Sequence, residues 1–343
     1  MTSAEFGSIA SALADRGLKV AVDAPFGVLT TYGVGGTAAV LVEVTTAAEA
    51  TAVGETMASW TGVPVLVFGN GSNTLVSDDG FDGVAVRTRP GTSVEDMAVV
   101  VRNGTVTVPG WMPLPVLARR SVAAGACGLE WAVGVPGTVG GAVRMNAGGH
   151  GAETVDRLVS VDVVSLATGK SGTFAAHELA LHFRGSALGD SHCVVSATFG
   201  VTAPGDHACE EELAAIVSWR RTNQPGGRNA GSVFVNPAPG DGSSGALIDG
   251  CGLRGRACGG ATVSDKHANF IQAANDATAA DVVALMELVQ DEVRRRTGIL
   301  LHSEVRLVGF GDDTVGRFAD RAHEADKVGD ARAGIARRLG ESR

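Results

Sequence analysis

Tyrosine is all but missing from this sequence: Tyr32 is the only one in 343 residues, and aromatics together make up 5%. The core must therefore be built mainly from Val, Ala and Leu. Long apolar runs are missing too. No stretch approaches the ~20 apolar residues of a membrane span, and the first residues lack a basic segment followed by an apolar one, so a cytoplasmic protein that touches no membrane is expected. Basic charge is scarce, with 28 Lys and Arg against 37 Asp and Glu for a formal charge of −9. That balance argues against a nucleic-acid surface and leaves any anionic ligand to local donors. The five cysteines (Cys127, Cys193, Cys209, Cys251, Cys258) form no CxxC pair, and reduced thiols are the expectation. The eight histidines never fall in HxH or HExxH spacing, so no metal site is expected. Glycine, by contrast, is abundant: 48 residues, roughly twice the usual ~7%. It is dispersed through patterned sequence and so marks turns and close backbone approaches.

The length implies two or three domains. In a first unit, residues 1–90, the pattern predicts a helix over Ala4–Arg16, strands at Ala39–Val44, Val63–Phe68 and Gly83–Arg87, and a helix over Thr46–Trp60. A second unit, 91–201, has strands near Met97–Val101 and Thr105–Pro109 and a helix from Pro115 to Ala124. A hairpin of Leu158–Val164 with Gly172–Ala175 and a closing strand at Cys193–Val201 complete it. A third unit, 202–310, starts with a helix carrying Glu210, Glu211 and Glu212 early and Arg220 and Arg221 late, an order that suits the helix dipole. Its last helix runs from a Thr278-x-x-Asp281 box through Val282, Leu285, Met286, Val289 and Val293 to Gly298, followed by a strand Ile299–Val308. The tail, 311–343, is charged and alanine-rich, and a solvated helix or a disordered end is expected there. There is no internal repeat.

Two glycine-rich stretches carry the chemistry. "VFGNGSNTLVSDDGF" (Val67–Phe81) lacks the later glycine of a dinucleotide fingerprint and the Gly-Lys-Ser/Thr of a Walker loop. A turn so rich in N–H donors can hold a pyrophosphate without lysine, although an ordinary strand-to-loop turn has the same look. The denser cluster is Gly128–Gly151, where Val135-Pro136-Gly137-Thr138 forms a turn and Gly140-Gly141 permits close backbone approach. Two such turns in adjacent units could grip one extended dinucleotide from both sides. Farther on, alternation puts Ser232, Phe234 and Asn236 on one face of a run, with Val233 and Val235 on the other. Glu304 and Arg306 likewise share a face opposite Val305 and Leu307. Taken alone, these are equally a turn edge and a surface ion pair.

Together the motifs are specific. "TTYGVGG" (Thr30–Gly36), "GNGSN" (Gly69–Asn73) and "GVPGTVGGAVRMNAG" (Gly134–Gly148) resemble, in order and spacing, the flavin half of the UDP-N-acetylenolpyruvoylglucosamine reductase family. "NAGSVFVNP" (Asn229–Pro237), "GALIDGCGLRG" (Gly245–Gly255), "VSDKHANFI" (Val263–Ile271) and "SEVRLVG" (Ser303–Gly309) resemble its substrate domain. The resemblance spans roughly residues 20–310. It implies an α+β fold: a two-lobed FAD-binding domain of the vanillyl-alcohol-oxidase type and a C-terminal α+β substrate-binding domain.

The resemblance implies noncovalent FAD held by Asn70, Gly71, Ser72, Asn73, Thr74 and Leu75 from one lobe. From the other it implies Gly134, Pro136, Gly137, Thr138, Gly141, Asn146, Ala147 and Gly148. It further implies NADPH as co-substrate and reduction of the enolpyruvyl ether of UDP-N-acetylglucosamine enolpyruvate to UDP-N-acetylmuramate. That is a step of peptidoglycan precursor synthesis, and so of cell wall, shape and division. Hydride addition leaves carbanion character beside the substrate carboxylate, which needs donors in place beforehand. By the resemblance Arg184 binds that carboxylate, Glu304 assists it, Ser232 protonates the carbon, and Asn236 and Arg306 orient the substrate. A glutamate beside an accumulating dianion helps only if protonated, so its pKa must be raised. A carbanion is basic enough to take a proton even from a serine held against it.

The sequence departs from the family in places. Phe183 stands where the family has tyrosine before the arginine, and the single tyrosine lies in the flavin half, so an active-site tyrosine loop is absent. The short connection Ser186–Cys193 agrees with the short-loop subclass, while "VPGWM" (Val108–Met112) replaces a small Ala-Gly-rich turn. Two other readings remain at this point: a related flavin oxidoreductase acting on another sugar or lactone, and a flavin- or sugar-nucleotide-binding protein without turnover. Oligomeric state is not legible.

Overall fold

The computed structural model describes residues 1–91, 97–203, 208–238, 240–319 and 321–341, with the backbone alone at 208 and 321–327. Residues 92–96, 204–207, 239, 320, 342 and 343, which fall within the expected second, third and tail units, lie outside the described residues. Lobe 1 opens with α1 (Ser3–Ala14), where Thr2 and Glu5 form a reciprocal capping box. Its buried Phe6, Ile9, Ala10 and Leu13 recur at helical spacing. There follow β1 (Lys19–Pro25), β2 (Thr37–Val44), α2 (Ala47–Met57), β3 (Val65–Phe68), β4 (Thr74–Val76) and β5 (Phe81–Thr88). The sheet order is β1-β2-β5-β3, antiparallel at β1 and parallel elsewhere. Val40, Val42, Val84 and Val86 pack with α1 and α2 into one core. The Gly69–Asn73 loop leaves the carboxyl end of parallel strand β3, the usual place for a ligand in such sheets.

Lobe 2 contains β6 (Val101–Arg102), β7 (Thr105–Pro109), α3 (Leu114–Ala123), α4 (Val139–Met145), β8 (Gly148–Gly149), β9 (Ala152–Glu153), β10 (Leu158–Ser165), β11 (Ser171–Ala175) and β12 (His192–Gly200). Five of the strands form an antiparallel sheet in the order β11-β10-β12-β7-β6. The strand expected at Met97–Val101 shrinks to the two residues of β6.

The third unit has α5 (Ala208–Asn223), α6 (Ser244–Gly250), β13 (Ala257–Cys258), β14 (Ala261–Val263), β15 (Ile271–Ala273), α7 (Ala279–Thr297) and β16 (Arg306–Val308). α7 is capped by the Thr278–Asp281 box and ends at Gly298 in the left-handed region, as the sequence implied. Its buried Val282, Leu285, Met286, Val289 and Val293 join Ala261, Val263 and Ile271 of the β13-β14-β15 sheet in a core.

β16 belongs to no sheet of its own unit. It pairs in parallel with β4 of lobe 1, Arg306 opposite Thr74 and Val308 opposite Val76. The ten-residue strand expected at Ile299–Val308 is therefore three residues long. The run 232–236 is no regular strand either: its single bridge joins Phe234 to Ser303, and Val233 and Phe234 are both buried. Without a continuous ladder, strict alternation has nothing to enforce it.

Two expectations need correction. The tail forms α8 (Asp312–Phe318) and α9 (Arg321–Arg338), and it is not merely solvated. Val328, Ile335 and Leu339 are buried in the core of lobe 2 with Ala331 packed against them, and Phe318 is buried in the core of the third unit. That spacing is a helical stripe which the surrounding charges conceal in composition. Nor are all cysteines reduced: Cys127 and Cys209 form a disulfide with Cα atoms 5.8 Å apart, tying lobe 2 to the start of α5. Their sequence separation of 82 matches no spacing pattern that would reveal it. Among the described residues, no helix is long and apolar enough to cross a membrane.

Candidate active site

The lobes and the third unit meet at a cleft of about 460 Å³. Its floor is made by the two glycine loops, which touch each other. Ser72 Oγ donates to the Pro136 carbonyl at 3.2 Å. A Cβ on Gly69 would lie 2.5 Å from Thr138 Oγ1, and one on Gly137, at φ +122°, would lie 2.9 Å from Ser72 Oγ. Gly71 is buried at φ +58°, and a Cβ there would lie 2.8 Å from Thr30 Cα, inside the first glycine motif. Glycine is thus required where these backbones close around the cleft. Thr138 caps α4 by accepting from the Gly141 N–H at 3.3 Å.

Asn70, Gly71, Ser72, Asn73 and Thr74 line the cleft, as do Gly134, Pro136, Gly137, Thr138, Gly141, Ala147 and Gly148. This paired cradle of close backbones and short polar side chains fits an extended dinucleotide such as FAD. Two expected members are elsewhere. Leu75 is fully buried in the core where β4 meets β16. Asn146, also buried, ends α4 in the left-handed region; its amide donates to Glu153 and the His182 carbonyl, and its Oδ1 accepts from Val155. Its task is to hold a turn. Asn73 has a second duty. Its Nδ2 donates to the Glu304 carbonyl at 2.9 Å and its own carbonyl accepts from the Arg306 N–H at 3.0 Å, welding the loop to β16.

Across the cleft stand Ser232, Glu304, Arg184 and Arg306, all on its wall. The Glu304 N–H donates to the Val233 carbonyl at 2.8 Å, which sets the residue after Ser232 beside Glu304. Arg184, itself at φ +59°, presents Nε to Glu304 Oε1 at 2.8 Å and Nη1 to Glu153 Oε1 at 3.3 Å. Phe183 lies under the same guanidinium, 4.6 Å from ring centroid to Cζ, so the residue that replaces tyrosine stacks on the arginine. Burial pushes the Glu304 carboxyl above its ordinary range, and Arg184 pulls it part of the way back. Asn236 is not at the cleft. It is exposed, and its Oδ1 accepts from the Ser244 N–H at the start of α6.

Other residues on or behind the wall gave no signal in sequence. Asp190 Oδ1 accepts from Arg306 Nη2 at 2.7 Å and lies 3.6 Å from Arg144 Nη2. Glu153 braces Arg184, and Arg220 of α5 reaches the wall as well. Asp190 sits in a turn and Glu153 ends the two-residue strand β9, segments too short for any spacing rule to apply.

Residues 38–174 match the FAD-binding domain family, and residues 222–308 match the C-terminal domain of UDP-N-acetylenolpyruvoylglucosamine reductase. The UDP-N-acetylenolpyruvoylglucosamine reductase of Synechococcus sp. (strain WH7803) is 42% identical over 294 residues, 83% of this chain and 92% of that one. The chain belongs to the UDP-N-acetylenolpyruvoylglucosamine reductase family. Another member, from Caulobacter vibrioides, is 41% identical over 72% of this chain and 81% of its own. The crystal structure of the Thermus caldophilus family member superposes with a TM-score of 0.70 at 31% identity, covering 85% of this chain and 98% of that one. The enzyme is accordingly an FAD-dependent oxidoreductase with the two-lobed flavin domain and the C-terminal domain of that family.

Proposed function

We propose that the enzyme reduces the enolpyruvyl ether of UDP-N-acetylglucosamine enolpyruvate to UDP-N-acetylmuramate with NADPH, in the cytoplasm, as a step of cell-wall precursor synthesis that serves cell shape and division. In this reading residues 1–90 and 91–201 are the two lobes of the flavin domain, 202–310 bind the sugar nucleotide, and 311–343 are an accessory tail. The observation that carries it is the Arg184–Glu304 pair at 2.8 Å beside Ser232, facing the two glycine loops across one cleft.

FAD would be held by the backbone of Gly69–Asn73 and of Gly134–Thr138, and once bound it supplies the hydride that NADPH provides. The chain's own residues do the rest. Arg184 meets the substrate carboxylate, and Glu304, whose pKa burial raises, donates a hydrogen bond to it when it carries its proton, as charge spreads there. Ser232 Oγ is half-buried on the wall and has no hydrogen-bond partner within the chain among the described residues. It gives its proton to the carbon beside the carboxylate, which completes addition of one hydride and one proton across the double bond. Arg306, held by Asp190, orients the sugar nucleotide from the same wall. Ser232 and Glu304 are both present, which favours turnover over a binding role.

Steady-state oxidation of NADPH at 340 nm, with and without the enolpyruvyl sugar nucleotide, tests the reading. Substrate-dependent oxidation supports it; oxidation that ignores this substrate but responds to another sugar or lactone would replace it.

A further inference from the structure

Both matched family domains end by residue 308, yet the chain continues into α9 and back to the cleft. After α9, Glu341 reaches a histidine on the cleft wall. Its Oε1 and Oε2 lie 3.1 and 3.2 Å from His192 Nε2, and its Oε1 also accepts from Ser165 Oγ at 2.7 Å. His192 is buried, its side chain 3% exposed, and lines the cleft at the start of β12. Its Nδ1 accepts from the Gly189 N–H at 2.8 Å. A backbone amide can only donate, so Nδ1 carries no proton, and the ring proton sits on Nε2, aimed at Glu341. His192 also closes the turn from its other side, its own N–H donating to the Gly189 carbonyl at 3.3 Å.

That turn holds Asp190. Its carbonyl accepts from the Val67 N–H of lobe 1 at 2.8 Å, while its carboxylate receives Arg306 and faces Arg144. A continuous path therefore runs from Glu341 through His192 and Gly189 to Asp190 and the wall arginines. The anchor is firm. Leu339 and Ile335 are buried in lobe 2, Thr168 Oγ1 donates to the Leu339 carbonyl at 2.7 Å, and Arg338 pairs with Glu178 at 2.8 Å.

We propose that Glu341 is a positioning residue: the tail straps His192 in one orientation and so holds Asp190 where it aims Arg306 into the cleft. Glu341 touches no reacting atom. Only the role of Arg306 toward substrate rests on the function proposed above; the strap itself does not.

The test is a mutant cycle on the FAD-loaded enzyme. Glu341→Ala should raise KM for the enolpyruvyl sugar nucleotide severalfold or more, up to the ~10²-fold that a misplacement of about 1 Å remote from the chemistry can cost, with FAD content and flavin reduction by NADPH unchanged. Glu341→Gln, whose amide oxygen still accepts from Nε2–H, should stay within about twofold of wild type. Asp190→Ala should raise KM alike, and Glu341→Ala with Asp190→Ala should be no worse than the poorer single variant, because both act through one path. Should Glu341→Ala fail to fold, His192→Asn cuts the same link while keeping an acceptor for Gly189, and must raise KM in its place. An unchanged KM in the folded variants, failure of the Gln variant to rescue, or additive effects would overturn the strap.

Imidazole ¹⁵N NMR provides a readout free of substrate. The His192 signals should show a hydrogen-bonded Nε2–H that is lost in Glu341→Ala. A wild type inactive with this sugar nucleotide but showing that signal change would sink the function and keep the strap; an unaltered signal would sink the strap.

Discussion

Arg184 Nε and Glu304 Oε1 stand 2.8 Å apart on the cleft wall, although burial pushes the Glu304 carboxyl toward its protonated form. The pair is thus a balance between desolvation and one guanidinium. An arriving substrate carboxylate competes for that guanidinium, and the glutamate then keeps its proton more readily.

This balance makes stability pH-dependent with a definite sign. Glu304 binds its proton more tightly in the folded than in the unfolded chain, so folding is favoured less as pH rises from the ordinary value of 4.5 through the raised folded value. Glu304→Gln never ionises and lacks that loss. Thermal melts from about pH 4 to about pH 8 should show the variant gaining on wild type as pH rises. A constant gap, or one that narrows, contradicts the raised pKa.

Gly71 tests the flavin cradle. Alanine at its φ of +58° costs about 1–2 kcal/mol from backbone conformation alone, and its methyl would sit 2.8 Å from Thr30 Cα. Gly71→Ala should purify with severalfold less flavin per protein, measured by the visible-to-280 nm absorbance ratio, and melt several degrees lower. Full flavin content with wild-type melting would show that the loop does not need this close approach.

Much of this was legible in the sequence, for identifiable reasons. The Thr278–Asp281 box with the apolar stripe behind it announced α7, the helical pattern from Thr46 announced α2, and the glycine turns announced the cleft floor. β1 was not readable, because only Ala24 of Lys19–Pro25 is buried and an edge strand so exposed has no alternation to detect. Asn236 was misplaced because period two was assumed where the chain makes a single bridge. Composition hid the docking of α9, whose few apolar residues fall on one stripe between charges. Asp190 and Glu341 act through contacts between segments far apart in sequence, and nothing local marks either one.

The account depends most on Ser232 as the carbon acid. Stopped-flow absorbance of the flavin separates the two half-reactions. Ser232→Ala should be bleached by NADPH at near wild-type rate, while reoxidation by the enolpyruvyl sugar nucleotide slows by about 10²–10⁴-fold, the usual loss on removing a general acid. Ser232→Cys should reoxidise faster than Ser232→Ala, since a thiol still delivers a proton. Reoxidation of Ser232→Ala at the wild-type rate would contradict the assignment and with it the reading of this cleft wall.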